Sequence, residues 1–357
     1  MSPNRKVLII KGARQVGKTY SVRRFGSEFK YFIEVNFEEE KDVLKFFNHS
    51  LNPHRIIEKL SAFYSTPIKP GETLLFFDEI QSCPNALSSL RFFYEKIPGL
   101  HVIAAGSLLE FALTKIPSHA VGRLNYLYHS PMTFEEFLIV MGEGQLLNLL
   151  VQHNPSTMFD DVFHRKLLNY FKTYQVIGGM PAVVESYIEH RDLLLCQQIL
   201  DDLITSFQDD FAKYKKHSPV LRLQEVFYSI MQQAGNKFKY SNIESSSTPP
   251  MLKAALDLLI KAGLAYKIYH TSAQGIPLGA QIKPNKFKVI SFDIGIHQRM
   301  LGLDLSKYIV ADSFDQISRA CLCYSVGLCA PRRRFGWIWR CRNIGKVSYR
   351  LSLIVCR

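Results

Sequence analysis

The fold of the first part of this chain is decided by the stretch Gly12-Ala13-Arg14-Gln15-Val16-Gly17-Lys18-Thr19. It follows an apolar run, Val7-Leu8-Ile9-Ile10, and precedes a segment that is compatible with a helix. Gly12 and Gly17 allow backbone torsions that a Cβ would resist, so consecutive N–H groups can curl around phosphate oxygens. A helix that begins near Lys18 points the positive end of its dipole at the same phosphates. The sequence therefore predicts a phosphate-binding loop between a strand and a helix.

Two side chains at the end of this loop have distinct expected roles. Lys18 supplies a mobile cation for the β and γ phosphates, and Thr19 offers a hydroxyl to Mg²⁺. The whole loop from Gly12 to Thr19 is therefore expected to bind ATP, with Mg²⁺ as cofactor. The alternative is a glycine-rich turn that matches the pattern by chance, and the strand before the loop and the helix after it argue against that alternative.

A second motif lies about sixty residues further along the chain. The apolar run Thr73-Leu74-Leu75-Phe76-Phe77 is typical of a buried parallel strand, and it ends in Asp78-Glu79. We interpret Asp78 as the acid that holds Mg²⁺ through water, and Glu79 as the acid that polarises the attacking water. The alternative is a strand that stops at a solvated acidic turn.

Strands and helices alternate over residues 1–142, which predicts an α/β P-loop NTPase domain with a parallel sheet. The acidic run Glu38–Asp42 is expected to open a helix and to form a solvated face. The other predicted elements are strands at Tyr31–Asn36, Leu74–Phe77 and His101–Ala105, and helices from the loop to about Phe25, at Asn52–Tyr64 and at Ala86–Lys96.

Two further side chains are candidates for the catalytic machinery. Ser107 follows the strand His101–Ala105 and is placed to sense the γ-phosphate or to orient water; with Glu110 three residues later it also fits a helix capping box. Arg123 is a candidate for stabilising transition-state charge, from the same subunit or from a neighbouring one in a homo-oligomer. The alternative for Arg123 is an ordinary surface or ion-paired arginine.

Composition limits the class of protein. The chain has 357 residues, of which 47% are hydrophobic and 21% charged, so it is long enough for two or three globular domains. No apolar run reaches the ~18 residues that span a bilayer. Lys11 and Arg14 interrupt the N-terminal apolar stretch, which argues against a secretory signal. The sequence therefore predicts a cytoplasmic protein without a membrane partner, and its seven cysteines are expected to be reduced thiols.

The last part of the chain differs from the rest. Residues 321–357 hold eight Lys and Arg, five of the seven cysteines, both tryptophans and no acid. We interpret residues 316–357 as aberrant, for example out-of-frame, or disordered sequence. The alternatives are a basic tail that binds nucleic acid, a zinc site whose cysteine spacing fits common patterns poorly, and a folded segment of unknown role.

The middle of the chain is predicted to be mostly helical. Residues 143–218 form an amphipathic helical connector that is broken once, at Gly178-Gly179-Met180-Pro181. Residues 219–304 are predicted to be winged-helix-like, because three short helices precede a two-stranded ribbon. The candidate recognition helix carries only Lys253 and Lys261, with Asp257 between them, so a role in protein contact or in packing is favoured over contact with DNA. The predicted elements are Val220–Gln233, Tyr240–Glu244, Pro250–Ala262, Leu264–His270 and Lys286–Ser291.

These motifs and their order resemble a large family of prokaryotic AAA-type ATPases that join a P-loop domain to a C-terminal domain of unknown function. The resemblance runs from about Lys6 to about Asp304. It implies ATP binding and hydrolysis by Lys18, Thr19, Asp78 and Glu79, with a partner that is generally unknown. The segments that carry it are the loop with Arg14-Gln15, Phe77-Asp78-Glu79-Ile80-Gln81, Gly106-Ser107, Gly122-Arg123, Ser130-Pro131-Met132-Thr133-Phe134-Glu135-Glu136-Phe137, Gly178-Gly179-Met180-Pro181 and Phe292-Asp293-Ile294-Gly295.

The leading functional expectation is an ATPase in which Mg²⁺-ATP hydrolysis changes how the C-terminal part meets a protein or DNA partner. The rival is a nucleotide-switched DNA- or protein-binding module with little turnover. A third reading is a damaged gene product with an intact phosphate loop and an unstable body.

Overall fold

The computed structural model describes residues 5–48, 50–106, 122–154, 159–214, 218–272, 278–303, 305 and 338–339. The chain divides into two compact units, one up to Ser130 and one from Pro131 onward. This division differs from the predicted domain boundary at residue 142. The physical reason is that the rings of Phe134 and Phe137 pack against Tyr174 of the second unit, with centroids 5.6 Å apart in both pairs.

The first unit is built on a five-stranded parallel sheet. The strands are β1 (Val7–Lys11), β2 (Tyr31–Asn36), β3 (Thr73–Asp78), β4 (His101–Ala105) and β5 (Leu124–Tyr128). They lie in the order β2-β3-β4-β1-β5. The strand that leads into the phosphate loop, β1, pairs with β4 and β5, and the strand that carries the acids, β3, pairs with β2 and β4. All carboxyl ends therefore meet at one edge of the sheet.

The core lies on both faces of this sheet. All six residues of β3 are buried, as expected of a central parallel strand covered on two sides. The helices of this unit are α1 (Lys18–Gly26), α2 (Leu44–Asn48), α3 (Pro53–Phe63) and α4 (Pro84–Lys96), with a 3₁₀ turn at Ile80–Ser82. Leu75 and Phe77 pack with residues of α3 and α4 on one face of the sheet, and Leu74 and Phe76 pack with Val22 of α1 on the other.

One helix start was predicted wrongly. The run Glu38–Asp42 does not open a helix; α2 begins at Leu44. The side chain of Asn36 accepts a hydrogen bond from the N–H of Glu38, and the Glu40 carboxylate accepts one from the N–H of Asn36. These local bonds hold a turn after β2 and compete with helix formation.

The second unit begins with helices. The predicted capping box at Thr133 is confirmed, because its side chain and that of Glu136 bond each other's backbone N–H groups. The helical region is broken at Gly178 as predicted, but it is also broken between Gln152 and Asp161 and at Arg191, which has a left-handed φ of 54°. The prediction of a single break was therefore wrong. The helices are α5 (Phe134–Val140), α6 (Gly144–Gln152), α7 (Asp161–Ile177), α8 (Pro181–His190) and α9 (Leu193–Asp210), followed by a 3₁₀ turn at Phe211–Tyr214.

The last described region follows the predicted order of elements, but the middle helix is a single 3₁₀ turn at Tyr240–Asn242. The winged-helix assignment therefore stays a prediction. Strands β6 and β7 pair antiparallel, and the two-residue strand β8 pairs parallel with β6. The rest of residues 316–357 lies outside the described part. The elements are α10 (Val220–Gln232), α11 (Pro249–Lys261), β6 (Ala265–Thr271), a 3₁₀ turn at Leu278–Gln281, β7 (Ile282–Ser291), α12 (Ile294–Met300) and β8 (Ile338–Trp339).

Two motifs that are more than a hundred residues apart meet in the second unit. Asp293 is 1% exposed, and its carboxylate accepts hydrogen bonds from the N–H groups of Gly179 at 2.8 Å and Ile296 at 2.9 Å. A Cβ on Gly179 would lie 2.0 Å from the carbonyl oxygen of Met132, and one on Gly295 would lie 2.5 Å from that of Ile177. Glycine is therefore required where these backbones approach.

None of the helices in the described residues is both long enough and apolar enough to cross a membrane.

Candidate functional site: a phosphate loop beside two acids

The phosphate loop leaves β1 at the carboxyl edge of the sheet, and both of its glycines are structurally required. Gly12 has a φ of 153°, and a Cβ there would lie 2.1 Å from the carbonyl oxygen of His129. A backbone hydrogen bond holds the two segments close at this point, because the N–H of His129 donates to the carbonyl oxygen of Lys11 at 2.7 Å. Gly17 has a left-handed φ of 90° and caps α1, whose first residue is Lys18. The loop and the helix start lie as predicted.

Lys18 is folded into its own loop. Its Nζ donates to the carbonyl oxygens of Gly12 at 3.1 Å and Ala13 at 2.6 Å, and the residue is 7% exposed. Burial lowers the pKa of Lys18 to about 8, although the nearby carboxylates of Glu79 and Asp78 oppose this shift. The loop thus carries a poorly solvated cation whose charge an anionic ligand would stabilise.

The other loop residues shape the backbone around this lysine. Ala13 and Val16 are buried and anchor the loop. Gln15 is exposed and has a left-handed φ of 61°, which is uncommon for a residue with a Cβ. Arg14 is close enough for its charge to contribute to the lowered pKa of Lys18. Six of the eight predicted residues, from Gly12 to Gly17, therefore form one continuous turn between β1 and α1, and Lys18 and Thr19 begin the helix.

Thr19 of α1 and Asp78 of β3 are in direct contact, although β4 lies between β3 and β1, the strand that leads into α1. Thr19 Oγ1 donates to Asp78 Oδ2 at 2.6 Å, and the other carboxylate oxygen accepts from the N–H of Glu79 at 2.9 Å. Burial raises the pKa of Asp78, and these two hydrogen bonds partly offset the rise. The buried end of β3 thus holds a carboxylate beside the first turn of α1.

This oxygen pair fits Mg²⁺ by its chemistry. Mg²⁺ is bound in phosphate-handling sites through one or two carboxylates, retained waters and substrate phosphates, without a cage of protein ligands. In the described part of the chain, no group of three or more His, Cys, Asp or Glu side chains could form such a cage. Thr19 donates its proton to Asp78 and keeps its oxygen lone pairs for a cation. Thr19 and Asp78 are therefore the residues that would hold the ion.

Glu79 is held at its backbone and at its side chain. It has a left-handed φ of 47°, and its N–H donates a hydrogen bond to the Asp78 carboxylate. Its carboxylate oxygen Oε2 accepts a hydrogen bond from Nε2 of Gln81, which lies on the following 3₁₀ turn. Sequence reasoning missed Gln81: it stands in the quoted segment Phe77–Gln81, but no spacing rule assigned it a role.

Ser107 lies outside the described residues, so its proposed role stays a prediction. The strand before it, β4, runs between β1 and β3 and ends at Ala105. The described residue Gly106 is buried.

Arg123 is not brought to the phosphate loop within this chain. In the parallel pairing of β1 with β5, Val7 faces Leu124 while Lys11 faces Tyr128, so Arg123 lies at the amino edge of the sheet. The five residues of β5 put it about 16 Å from the carboxyl edge. Its Nε binds Glu95 Oε1 at 2.5 Å, and its side chain is 44% exposed. A catalytic role for Arg123, from its own subunit or across subunits, stays a prediction, and its position in this chain does not favour the first of these.

Comparisons with known proteins agree with this geometry. Residues 4–138 match a family model described as "AAA domain", and residues 168–307 match one described as "Domain of unknown function (DUF8612)". The chain therefore carries a P-loop segment similar to AAA domains, followed by a segment similar to a domain of unknown function.

No curated protein matches the chain. Among solved structures, the chain is similar to Cdc6p from Pyrobaculum aerophilum, at 11% identity over 80% of this chain and 83% of that chain, with a TM-score of 0.27. A TM-score of 0.27 is too low for this likeness to bear on the function.

Proposed function

We propose that this protein is a Mg²⁺-dependent ATPase that couples hydrolysis to a conformational change in a partner-binding C-terminal domain. The observation that carries the proposal is the 2.6 Å contact of Thr19 with Asp78, directly beside the buried cation of Lys18. A cation and an oxygen pair at one edge of the sheet are the groups that an ATP–Mg²⁺ complex requires. When bound, Mg²⁺ would neutralise charge on the phosphates.

In this proposal Glu79 accepts the proton of the attacking water. A general base must be fixed within hydrogen-bonding reach of its water. The N–H contact to Asp78 fixes the Glu79 backbone, and the hydrogen bond from Gln81 engages one carboxylate oxygen. The second oxygen remains for water. Lys18 stabilises the negative charge of the phosphates. Bound phosphate would in turn stabilise the charged form of this buried lysine and offset the free-energy cost of its burial.

The coupling part of the proposal rests on the domain organisation. An AAA domain at residues 4–138 is joined to a separate family domain at residues 168–307. Nucleotide binding can change the conformation of the second domain only if the protein has two conformations that bind the nucleotide with different affinities. We therefore propose that the ATP and ADP states differ in the second domain, and that a protein or DNA partner reads this difference.

The experiment measures phosphate release by the full chain with Mg²⁺, with EDTA, and in the variant Glu79→Gln. Loss of a general base costs about 10²–10⁴-fold in rate, so the variant should bind ATP and hydrolyse it that much more slowly. The matched control is Glu38→Gln, which removes an exposed carboxylate from the turn after β2 and should change nothing.

Three outcomes separate the proposals. Mg²⁺-dependent turnover that falls in Glu79→Gln and persists in Glu38→Gln supports the ATPase. Tight ATP binding without turnover, alone or with DNA, favours the nucleotide-switched module instead. Equal hydrogen exchange of residues 131–303 in the ATP and ADP states would contradict the coupling.

A further inference from the structure

A short sequence occurs twice in the second unit, and the fold brings the two copies together. Asn236-Lys237-Phe238-Lys239 follows α10, and Asn285-Lys286-Phe287-Lys288 lies in β7. The N–H of Phe238 donates to the carbonyl oxygen of Phe287 at 3.0 Å. The two phenylalanine rings are stacked, with centroids 6.0 Å apart and planes 24° apart. We call these two segments together the lysine ribbon.

The lysines of this ribbon face outward because their phenylalanines face inward. Phe238 is 3% and Phe287 7% exposed. Of the flanking lysines, Lys237, Lys239 and Lys286 are exposed and Lys288 is half-buried. Side chains alternate between the two sides of an extended chain. Two adjacent Lys-Phe-Lys segments therefore place four amines on one surface.

Aromatic rings and one more cation surround the ribbon. Lys267 on β6 places its Nζ 4.0 Å from the centre of the Phe287 ring. The rings of Tyr240 and Tyr269 both lie 6.3 Å from that of Phe287. Burial, and after it the charge of Asp257 on α11, raises the pKa of Tyr240 to about 12, so this acid acts close to the ribbon.

The charge pattern identifies the chemistry of a partner. Within the described residues, Lys237, Lys239 and Lys286 form no ion pair with an acid of this chain. Four amines of like charge on one surface repel one another, and a polyanion would remove that cost. Amines on two adjacent segments suit a backbone of regularly spaced phosphates, whereas the predicted recognition helix α11 offers only Lys253 and Lys261.

We infer that the lysine ribbon is an interface for the phosphate backbone of duplex DNA, bound without base specificity. The contact deepens the proposed function by naming the partner of the C-terminal domain. It uses residues of the second unit alone, so it does not depend on ATP turnover. The candidate recognition helix contributes little to it.

The test measures binding of a fluorescently labelled duplex of about 20 base pairs to the full chain at several salt concentrations. Fluorescence anisotropy of the duplex reports the bound fraction. One variant carries Lys237→Gln and Lys239→Gln, and a second carries Lys286→Gln and Lys288→Gln. The matched control carries Lys253→Gln and Lys261→Gln, which removes the same charge from α11. The basic residues after 320 are identical in all four proteins. Differences in DNA affinity between these proteins therefore come from the substituted lysines.

Each phosphate contact contributes about −0.9 to the slope of log K against log salt. Each ribbon variant should therefore lose about 1 to 2 from the steepness of that slope, and about one to two orders of magnitude in affinity near 50 mM salt. The control should keep the wild-type slope, and all proteins should melt at the same temperature. The two ribbon variants should show losses of similar size.

Several results would overturn the inference. Unchanged slopes in both ribbon variants would exclude the ribbon, and an equal loss in the α11 control would assign binding to the helix or to net charge alone. Tighter binding of polyglutamate than of the duplex would show that the ribbon takes an acidic protein. If the wild-type chain hydrolyses ATP but does not bind the duplex, this inference fails while the proposed function stands. If it binds the duplex but does not hydrolyse ATP, the proposed function fails while this inference stands.

Discussion

Lys18 is a charged side chain in a buried position, and replacing it with methionine is expected to stabilise the protein while it weakens ATP binding. Burial lowers the pKa of Lys18 from 10.5 to about 8. At about 1.4 kcal/mol per pKa unit, the folded protein at neutral pH carries a penalty of about 3 kcal/mol for keeping this lysine charged. Its hydrogen bonds to Gly12 and Ala13 return part of that amount. Methionine has a similar length and no charge, so we expect a gain of about 1 to 3 kcal/mol in unfolding free energy.

The pH dependence tests the cause. Since the pKa of Lys18 is lower in the folded protein, the unfolded state binds more protons between pH 8 and pH 10.5. The unfolding free energy of the wild type therefore rises across this pH range, whereas that of Lys18→Met lacks this contribution because methionine does not titrate. The difference between the two proteins should be largest near pH 7 and should vanish near pH 10.5. Denaturant unfolding without nucleotide at several pH values measures it.

The affinity for ATP should change in the opposite direction. Removing one partner of a buried charge pair costs about 2–5 kcal/mol, which is roughly 30- to 5,000-fold in affinity. Equilibrium dialysis with ATP measures this loss, and the exposed Lys41→Met is the control that should change neither quantity. A variant that is less stable than wild type at pH 7 would refute the burial argument. Unchanged ATP affinity would refute the assignment of Lys18 to the phosphates.

Two other substitutions test the geometry of the sheet edges. Arg123→Ala should leave turnover nearly unchanged if the residue acts only in its own chain, because its exposed ion pair is worth about 0–1 kcal/mol; a loss of about 10³ or more, partly restored by mixing with Glu79→Gln protein, would instead establish a role across subunits. Gly12→Ala should destabilise the protein by about 1–3 kcal/mol more than Gly71→Ala in thermal unfolding, since both have positive φ but only Gly12 meets a backbone carbonyl. Equal costs would show that the loop yields to a Cβ.

Much of the first unit could be predicted from local sequence. The glycine spacing of the phosphate loop, the continuous apolar run of β3 and the capping box at Thr133 each lie within a few residues. Local geometry, burial on both faces and a side-chain hydrogen bond are sufficient to specify them. The same reasoning failed at Glu38–Asp42, because side-chain bonds to the backbone compete with the helix there.

The sequence by itself determined which residues are chemically able to handle phosphate: Lys18, Thr19, Asp78 and Glu79. Only the tertiary structure decided which side chains meet, because contacts across the sheet depend on strand order and register. Those are set by packing of the whole core and by no short segment. The order β2-β3-β4-β1-β5 lets Thr19 reach Asp78, and the parallel register of β5 places Arg123 at the opposite edge. The same collective packing joined two Lys-Phe-Lys segments through Phe238 and Phe287, which no local pattern could foresee.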